Sequence, residues 1–481
     1  MTGPKIAIIG GGPAGLLLAR LLQHSSLACT VFELDADRHA RTQGGTLDLH
    51  ESTAQLALKE AGLYEKFLAH ARPEGEVLKI YDASGTVLMD ENEGIGVRRP
   101  NTMSNRPEID RVLLRAMLLD SLVPGSVQWG MKLSRVEQVQ GADNERTYDL
   151  HFTNGHVATG FDIIVGADGA WSKVRPLVTD AKPFYSGISG LDVKLSSANT
   201  RHPDLGKRTG GGMCLTLGPN KGILAQRNGD GAVRCYAFMR AMESWDQDSG
   251  IDFGQMETAK REFVARYFGD WDQGAKDMVL RSDADSSVVR HLFMLPLGLT
   301  WCSRPGIALI GDAAHLMTPF AGVGVNVAME DALLLARAIV AAASQKKTIT
   351  TRTDKSALAA ALQKYDADMF VRAERYAQQT WMYLGLFFHE RGGVAMVEHF
   401  ERMQAQESAA AVTAAAALKE EVKASAPTTS AEKMMAGGVG VAEVVRAPSD
   451  LPASTSASSA SSPVGSGTTP LMEAKVGPHV E

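Results

Sequence analysis

The residues best placed to do chemistry lie in one stretch, where a carboxylate follows a short apolar run. Residues 307–310 are apolar, as in a buried parallel strand, and Gly311-Asp312 follow directly. The loop beyond contains, in order, Pro319, Gly322 and Gly324. A helical pattern from Val325 would bring N–H groups and a helix dipole to this turn, which favours a polar, anionic ligand. An ordinary strand-to-helix connection is the alternative, but it needs no two spaced glycines.

A phosphate-binding pattern lies near the start of the chain. An apolar run, residues 5–9, leads into Gly10-Gly11-Gly12-Pro13-Ala14-Gly15, and a helical pattern continues beyond it. In the Gly-x-Gly-x-x-Gly fingerprint, Gly10 permits the tight turn, Gly12 lets a pyrophosphate approach the backbone, and Gly15 lets helix and strand pack closely. Pro13 and Ala14 belong to the same predicted cofactor loop.

The carboxylate of Glu33 ends the next predicted strand, residues 29–32. An acid about 20 residues beyond the glycines accepts hydrogen bonds from a ribose 2′-hydroxyl and repels a 2′-phosphate. The tightly held nucleotide is therefore FAD or NAD and not NADP. The glycines do not separate these two, but the distant turn at Asp312 favours FAD, because only a long ligand crossing the sheet needs a second contact there.

Another acidic turn is predicted at Asp168, within Gly-Ala-Asp-Gly-Ala-Trp-Ser-Lys-Val-Arg at residues 166–175. It again follows a strand and precedes a helical start. The Asp168 carboxylate can accept hydrogen bonds from ribose or ribityl hydroxyls, and Arg175 can hold a phosphate. The alternative is a helix cap with its salt bridge, since Asp and Ser are favoured at helix N-termini.

Together these motifs resemble the single-component, aromatic-hydroxylase class of FAD-dependent monooxygenases. Residues 44–50 (Gly-Gly-Thr-Leu-Asp-Leu-His), 107–111 (Pro-Glu-Ile-Asp-Arg) and 310–322 resemble the tetracycline-inactivating members of that class. The similarity extends from about residue 5 to about residue 375. It implies non-covalent FAD, NADPH or NADH as a transient reductant, and O₂. It also implies a flavin 4a-hydroperoxide that attacks an electron-rich carbon.

The resemblance implies roles for single residues in the first part of the chain. It makes Asp48 a flavin neighbour and places Arg111, on a helix predicted over residues 108–122, at the FAD pyrophosphate or the flavin edge. Arg41 falls where a nicotinamide-cofactor contact is expected, with a solvated surface arginine as the alternative. Arg115 is expected to be a surface charge.

Further cofactor contacts are implied around the opening stretch. Asp312 fits a hydrogen-bond acceptor for the ribityl chain, and Pro319 fits a wall of the pocket on the flavin face where oxygen reacts. The helix dipole would stabilise an anionic reduced flavin. Backbone contacts are expected from Gly322, Gly324, Val325 and Asn326. Nothing in the sequence demands a protein acid or base, so no catalytic residue is assigned.

Substrate contacts are expected on strands of an inserted sheet, where ungapped matching to the tetracycline-inactivating enzymes places Asp192, Gln226 and Arg234. A carboxylate and a guanidinium in one pocket favour a charged ligand or a hydroxyl-carbonyl array, because unpaired buried charges are costly. The alternative is that Asp192 and Arg234 pair with each other or face solvent. The prediction is hydroxylation or oxidative rearrangement of a polycyclic phenolic or polyketide-type metabolite, in secondary metabolism or xenobiotic modification, with tetracycline a poor substrate.

These sites require an α/β fold with a Rossmann-like FAD-binding domain, an inserted, mainly antiparallel β-sheet substrate domain and a long C-terminal bracing helix. A hairpin is predicted at residues 77–89. The tail cannot bury enough apolar surface to fold. The predicted divisions are residues 1–180 and 286–345 (FAD-binding domain), 181–285 (substrate domain), 346–425 (helical segment) and 426–481 (disordered tail).

The composition is that of a globular protein large enough for two cores. The 481 residues are 44% hydrophobic and 22% charged, with a formal net charge of −6, so a nucleic-acid partner is not expected. No signal peptide or membrane anchor is expected, and the four cysteines suggest neither a metal site nor a disulfide. A cytoplasmic monomer or weak oligomer fits best. The alternatives are a catalytically silent dinucleotide-binding sensor or partner protein, and a flavin halogenase, whose Trp-x-Trp-x-Ile-Pro signature is absent.

Overall fold

The computed structural model describes residues 3–40, 44–93, 106–140, 146–344 and 352–425. In chain order the strands are β1 (Ile6–Ile9), β2 (Cys29–Phe32), β3 (Thr46–Asp48), β4 (Leu78–Asp82), β5 (Val87–Asp90), β6 (Glu108–Asp110), β7 (Val127–Gln128), β8 (Leu133–Gln140), β9 (Arg146–Phe152), β10 (Val157–Phe161), β11 (Ile163–Gly166), β12 (Phe184–Leu195), β13 (Met213–Gly218), β14 (Lys221–Arg227), β15 (Val233–Arg240), β16 (Asp283–Met294) and β17 (Ile307–Leu309). The helices are α1 (Pro13–His24), α2 (Leu56–Glu60), α3 (Tyr64–Leu68), α4 (Arg111–Asp120), α5 (Ala198–Arg201), α6 (Pro203–Thr209), α7 (Trp245–Asp248), α8 (Met256–Tyr267), α9 (Gln273–Leu280), α10 (Asp312–His315), α11 (Gly324–Ser344), α12 (Arg352–Phe387) and α13 (Gly393–Ser425).

The first large sheet is parallel and has the strand order β17-β11-β1-β2-β7. Strands β1, β11 and β17 are buried along their whole length, as expected for parallel strands covered on both faces. Because neighbouring parallel strands end at the same edge, the turns that follow β1, β2, β11 and β17 lie side by side. This edge therefore gathers the motifs predicted from four separate parts of the sequence.

The second large sheet has seven strands in the order β16-β12-β15-β14-β13-β4-β5, and every pair except β13 with β4 is antiparallel. The predicted hairpin is confirmed as β4 and β5. Main-chain pairing with β13 joins this hairpin to the second sheet, although it precedes residues 181–285 in the chain. Strand β16 likewise runs beyond that range. Local alternation predicts a strand but not its distant partner, so the sequence did not reveal this extension.

Opposite faces of the second sheet are covered by different elements. Side chains such as Val193 and Cys235 pack against helices α8 and α9. On the other face, Phe238 and Leu224 pack in a cluster with Phe320 and with aromatic residues of α12. This face carries the predicted substrate residues, since side chains alternate along each strand.

The long helix α12 contacts the elements of both sheets, which fits the predicted bracing role. The Tyr365 hydroxyl donates to the carbonyl of Leu309 at 3.1 Å, and Trp381 packs against Phe184 of β12. The chain breaks between α12 and α13 at Gly392, whose φ of +54° favours glycine. Among the described residues, no helix is long and apolar enough to cross a membrane. Residues 426–481 lie outside the described residues, so their predicted disorder stays a prediction.

Candidate active site

The glycine loop between β1 and α1 combines two packing glycines with one open position. A Cβ atom on Gly10 would lie 2.2 Å from the Ala167 carbonyl oxygen, and one on Gly15 would lie 2.1 Å from the Gly10 carbonyl oxygen. A Cβ atom on Gly12, which precedes α1, would meet no atom within 4 Å. Gly10 therefore permits the turn and Gly15 permits the close packing, whereas Gly12 leaves an open approach to the helix N-terminus.

Glu33 lies beside this loop at the end of β2. The side chain is buried, and its two carboxylate oxygens accept hydrogen bonds from the backbone N–H groups of Gly11 and of Asp35, the latter at 3.0 Å. A carboxylate oxygen can accept more than one hydrogen bond, so a ribose hydroxyl can still be bound. The position agrees with the predicted ribose contact, which stays a prediction.

Arg115 braces the same loop, so the expectation of a surface charge is wrong. Its side chain is buried on α4 and donates to Asp35 at 3.0 Å and to the Gly11 carbonyl at 3.4 Å. Spacing along a helix shows which residues share a face, but it does not show which neighbour covers that face. Arg115 and Asp35 are 80 positions apart in the chain, so no local pattern indicated the pair.

The Asp168 turn after β11 serves partly as a cap and leaves one oxygen available. Asp168 Oδ2 accepts from the N–H of Lys173 at 2.7 Å, and the Ser172 hydroxyl accepts from the N–H of Arg175 at 2.9 Å. Asp168 Oδ1 is buried and has no hydrogen-bond partner within the described part of the chain. Burial raises the pKa of this carboxyl. A ligand hydroxyl at Oδ1 would remove the cost of the unsatisfied acceptor.

Arg175 lies between the turns that follow β11 and β17. Its buried guanidinium donates to the carbonyl oxygens of Ala170 at 2.7 Å, Ala313 at 3.1 Å and Asp312 at 3.4 Å. Because these donors are committed to backbone carbonyls, Arg175 ties the Asp168 turn to the Asp312 turn. Its predicted contact with a phosphate stays a prediction.

The turn after β17 presents an exposed carboxylate and an open helix N-terminus. Asp312 and Pro319 are exposed at this edge. Helix α11 has 21 residues. The first N–H to donate to a carbonyl four residues earlier is that of Val327, which bonds to Val323 at 3.0 Å. The preceding N–H groups have no acceptor among the described residues, as is usual for the first turn of a helix. These groups belong to Gly324, Val325 and Asn326.

The Asn326 side chain ties the start of α11 to the run that carries Asp48. It donates to the Asp48 carbonyl at 2.8 Å and accepts from the His50 N–H at 2.7 Å, so both ends of the amide hold this contact. The Asp48 carboxylate accepts from Arg106 at 3.0 Å. A Cβ atom on Gly322, whose φ is +68°, would lie 3.6 Å from Asp48. Asp48 is thus next to Gly322, where a backbone contact to the flavin is predicted. The sequence did not indicate its partner Arg106.

Arg111 lies beside the glycine pair that precedes β3. Its N–H donates to the Gly45 carbonyl at 3.1 Å, and its side-chain stem passes so close to Gly44 that a Cβ atom there would lie 3.0 Å from it. Residues 108–110 pair with β3, so the helix begins at Arg111 and not at residue 108 as predicted. Arg41 lies outside the described residues.

The three predicted substrate residues share one face of the second sheet. Arg234 lies opposite Gln226, and its Nη2 donates to Asp192 at 2.6 Å. Asp192 and Arg234 therefore pair with each other, and their contact with a substrate stays a prediction. Asp192 also accepts from Arg290 at 3.2 Å, while its Oδ1 is buried without a hydrogen-bond partner in the described ranges. One carboxylate thus faces two guanidinium groups and keeps one available acceptor.

The same face approaches the glycine pair next to Arg111. A Cβ atom on Gly45 would lie 3.5 Å from both the Gln226 side-chain oxygen and the Tyr236 hydroxyl, and 3.9 Å from Arg234. Gln226 also donates to Glu108 at 3.2 Å. Burial raises the pKa of Glu108 to about 8. The sequence did not indicate that Tyr236 and Glu108 lie near the predicted substrate residues, although Glu108 belongs to the motif at residues 107–111. Only the fold shows which distant side chains meet.

The chain is similar to a family of flavin-binding proteins over most of its length. The sequence profile described as FAD binding domain matches residues 4–361. Monooxygenase penA of Penicillium thymicola is 33% identical over 427 residues, covering 81% of this chain and 96% of that protein. Monooxygenase asqM of Emericella nidulans is 33% identical over 437 residues, covering 80% and 96% respectively.

Solved structures share the fold at lower sequence identity. Klebsiella pneumoniae HpxO complexed with FAD and uric acid has a TM-score of 0.63 and 21% identity, covering 83% of this chain and 92% of that chain. The tetracycline destructase Tet(55) has a TM-score of 0.62 and 18% identity, covering 84% and 98%.

Proposed function

The chain belongs to the family of FAD-dependent monooxygenases that share this FAD-binding domain, and we propose that it uses NADPH or NADH and O₂ to hydroxylate or oxidatively rearrange an electron-rich polycyclic or phenolic, polyketide-like small molecule. We also propose that the parallel sheet forms the FAD-binding part, and that residues 181–285, together with β4, β5 and β16, form the substrate-binding part. When bound, FAD supplies the redox chemistry, namely acceptance of a hydride and activation of O₂.

The residues at the edge of the parallel sheet fit a long dinucleotide. The open backbone at Gly12 suits the pyrophosphate, and Glu33 suits the adenosine ribose. Asp168, with its unsatisfied Oδ1, and the exposed Asp312 suit hydroxyl groups of the ligand. The unbonded N–H groups at the start of α11 suit negative charge on the flavin pyrimidine edge. Arg111 would reach the pyrophosphate or the flavin edge.

The observation that carries the substrate proposal is the buried Oδ1 of Asp192, which has no hydrogen-bond partner in the described part of the chain. This oxygen lies on the sheet face that meets Gly45, next to Arg234. A buried acceptor without a partner is costly, so the substrate should supply an O–H or N–H donor. The half-exposed guanidinium of Arg290 can donate to a carbonyl or enolate oxygen of the same molecule. A hydroxyl-carbonyl array satisfies both groups.

A substrate panel tests this proposal directly. Purified protein should be yellow, and the panel should contain phenols, polycyclic polyketides and tetracycline. NADPH or NADH oxidation, oxygen uptake and a product mass gain of one oxygen atom should occur together with a phenolic polyketide, and tetracycline should be turned over slowly. Arg234→Ala should raise KM for the preferred compound.

Arg261→Ala provides a matched control for loss of a cation. Arg261 is exposed on α8, which covers the opposite face of the second sheet. This variant should retain the KM of the unaltered protein. Equal turnover of tetracycline and the best polyketide, together with an unchanged KM in Arg234→Ala, would refute the proposed substrate pocket.

A further inference from the structure

Three ionisable side chains from three helices meet beneath the turn that carries Asp312. The ring nitrogen Nε2 of His315, on α10, lies 2.5 Å from Asp331 Oδ2, on α11. Arg372, on α12, donates from Nη2 to Asp331 Oδ1 at 3.0 Å. Asp331 and His315 are buried, and Arg372 is largely buried. No sequence pattern indicated this cluster, because 41 residues separate Asp331 from Arg372.

The cluster is joined to the turn by a direct hydrogen bond. The backbone N–H of Gly311 donates to Asp331 Oδ2 at 3.1 Å. Gly311 has φ +60° and ψ −143°, a conformation that side-chain-bearing residues rarely adopt. Since Asp312 is the next residue, the Asp331 carboxylate fixes the backbone from which the exposed Asp312 side chain projects.

The charges of the cluster support one another. Burial alone would raise the pKa of Asp331, but His315, Arg372 and the Gly311 N–H together lower it below its usual value. Burial would likewise lower the pKa of His315, but Asp331 raises it above the usual value. Both shifts favour the charged forms of the two side chains. The attraction between buried ions offsets their desolvation cost only where the contact geometry is good, and these short contacts meet that condition.

We propose that His315, Asp331 and Arg372 are positioning residues, which hold the Gly311-Asp312 turn in the orientation that the FAD ribityl chain requires. The inference rests on the proposed function, in which Asp312 contacts that chain. The cluster acts through the backbone of Gly311 and does not itself touch the cofactor. It also anchors α12 to the cofactor site, in addition to the bond from Tyr365 to Leu309.

The test measures FAD release from the full-length holoenzyme. Asp331→Asn keeps the shape of the side chain but removes the charge that holds the imidazolium. We expect the FAD dissociation constant to rise about tenfold or more, because a charge-assisted contact to the turn is lost. The visible circular dichroism of the remaining bound flavin should change as well. Fluorescence of released FAD after dilution reports the first quantity.

Asp366→Asn is the matched control. Asp366 is equally buried on α12, but it accepts from Ser303 at 2.5 Å and is not bonded to the turn. Both substitutions are expected to lower the melting temperature, but only Asp331→Asn should weaken FAD binding. Arg372→Met should weaken FAD binding, whereas Arg372→Lys should largely retain it. If Asp331→Asn does not fold, the comparison of these two variants tests the proposal instead.

The outcomes separate this inference from the proposed function. An unchanged FAD dissociation constant and flavin dichroism in Asp331→Asn would overturn the positioning role, as would an equal loss of affinity in Asp366→Asn. Asp312→Ala examines the underlying assignment. If Asp312→Ala weakens FAD binding and Asp331→Asn does not, only the positioning role fails. If neither variant affects FAD binding, the proposed placement of the ribityl chain fails as well.

Discussion

Gln226, on the second sheet, donates a hydrogen bond of 3.2 Å to Glu108, on the short strand β6 that precedes Arg111. Glu108 is buried, and the guanidinium of Arg72 is 3.7 Å away. Burial raises the pKa of Glu108 to about 8, against the opposing effects of Arg72 and Gln226. A carboxyl with a raised pKa thus joins the predicted substrate face to the strand that leads to the predicted flavin contact.

This carboxyl should make stability depend on pH. Its pKa in the folded chain lies above the unfolded value of 4.5, so its stabilising effect is complete below about pH 4.5 and is lost as the pH rises through 8. Glu108→Gln cannot ionise and should keep the bond to residue 226. Between pH 5 and pH 9 we expect the melting temperature of Glu108→Gln to fall less than that of the unaltered protein. The corresponding difference in unfolding free energy is about a few kcal/mol.

Glu243→Gln is the control for loss of a carboxylate, because Glu243 is exposed. Its melting temperature should change with pH as that of the unaltered protein does. The groups facing Glu108 are Arg72, Gln226, Asp48 and Thr46, and none of them is altered. Parallel melting curves for Glu108→Gln and the unaltered protein over the whole pH range would contradict a raised pKa at this position.

Substitutions in the glycine loop should separate folding from cofactor binding. Gly12→Ala should fold normally, because φ at Gly12 is −76° and a Cβ atom would meet nothing within 4 Å. It should nevertheless lose most bound FAD, since the added methyl group would occupy the approach of the pyrophosphate. Gly10→Ala and Gly15→Ala should instead fold poorly, because their Cβ atoms would lie within 2.2 Å of backbone oxygens. Flavin absorbance and melting temperature, measured together, distinguish these effects. Full flavin content in Gly12→Ala would show that no phosphate lies there.

The cofactor motifs could be predicted from the sequence because each one is local. A glycine or an acid directly after an apolar run reports the end of a strand, and parallel strands bring their ends to one edge whatever their separation in the chain. The contacts of Arg115 and Arg175 could not be predicted in this way, because each guanidinium bonds to backbone groups that are distant in the chain. The cluster around Asp331 was missed for the same reason.

Glu33→Gln should weaken FAD binding although it is nearly isosteric. Both carboxylate oxygens accept from backbone N–H groups, those of Gly11 and Asp35. An amide has one oxygen and one NH₂ group, so one of the two N–H groups would face a donor and the loop would shift. We expect about a tenfold rise in the FAD dissociation constant, and a larger one for Glu33→Arg.

Glu65→Arg serves as the control for this charge reversal, because Glu65 is exposed on α3. FAD titration of the apoprotein gives the dissociation constants. If Glu33→Arg binds FAD as tightly as Glu65→Arg does, the adenosine ribose is not at Glu33.

Asp192→Asn should affect substrate binding without affecting the cofactor. The carboxylate faces Arg234 at 2.6 Å and Arg290 at 3.2 Å, and its Oδ1 is the available buried acceptor on the sheet face. The amide would remove the charge that holds both guanidinium groups and would present a donor where a substrate donor is expected. We therefore expect KM for the preferred compound to rise about tenfold, with smaller changes in kcat. The FAD dissociation constant should stay unchanged, because the proposed cofactor contacts lie outside this sheet. Asp283→Asn, which breaks an ion pair between the start of β16 and the exposed Arg201, controls for loss of a carboxylate from the same sheet. A drop in flavin content with KM unchanged would place Asp192 in the cofactor site and not in the substrate pocket.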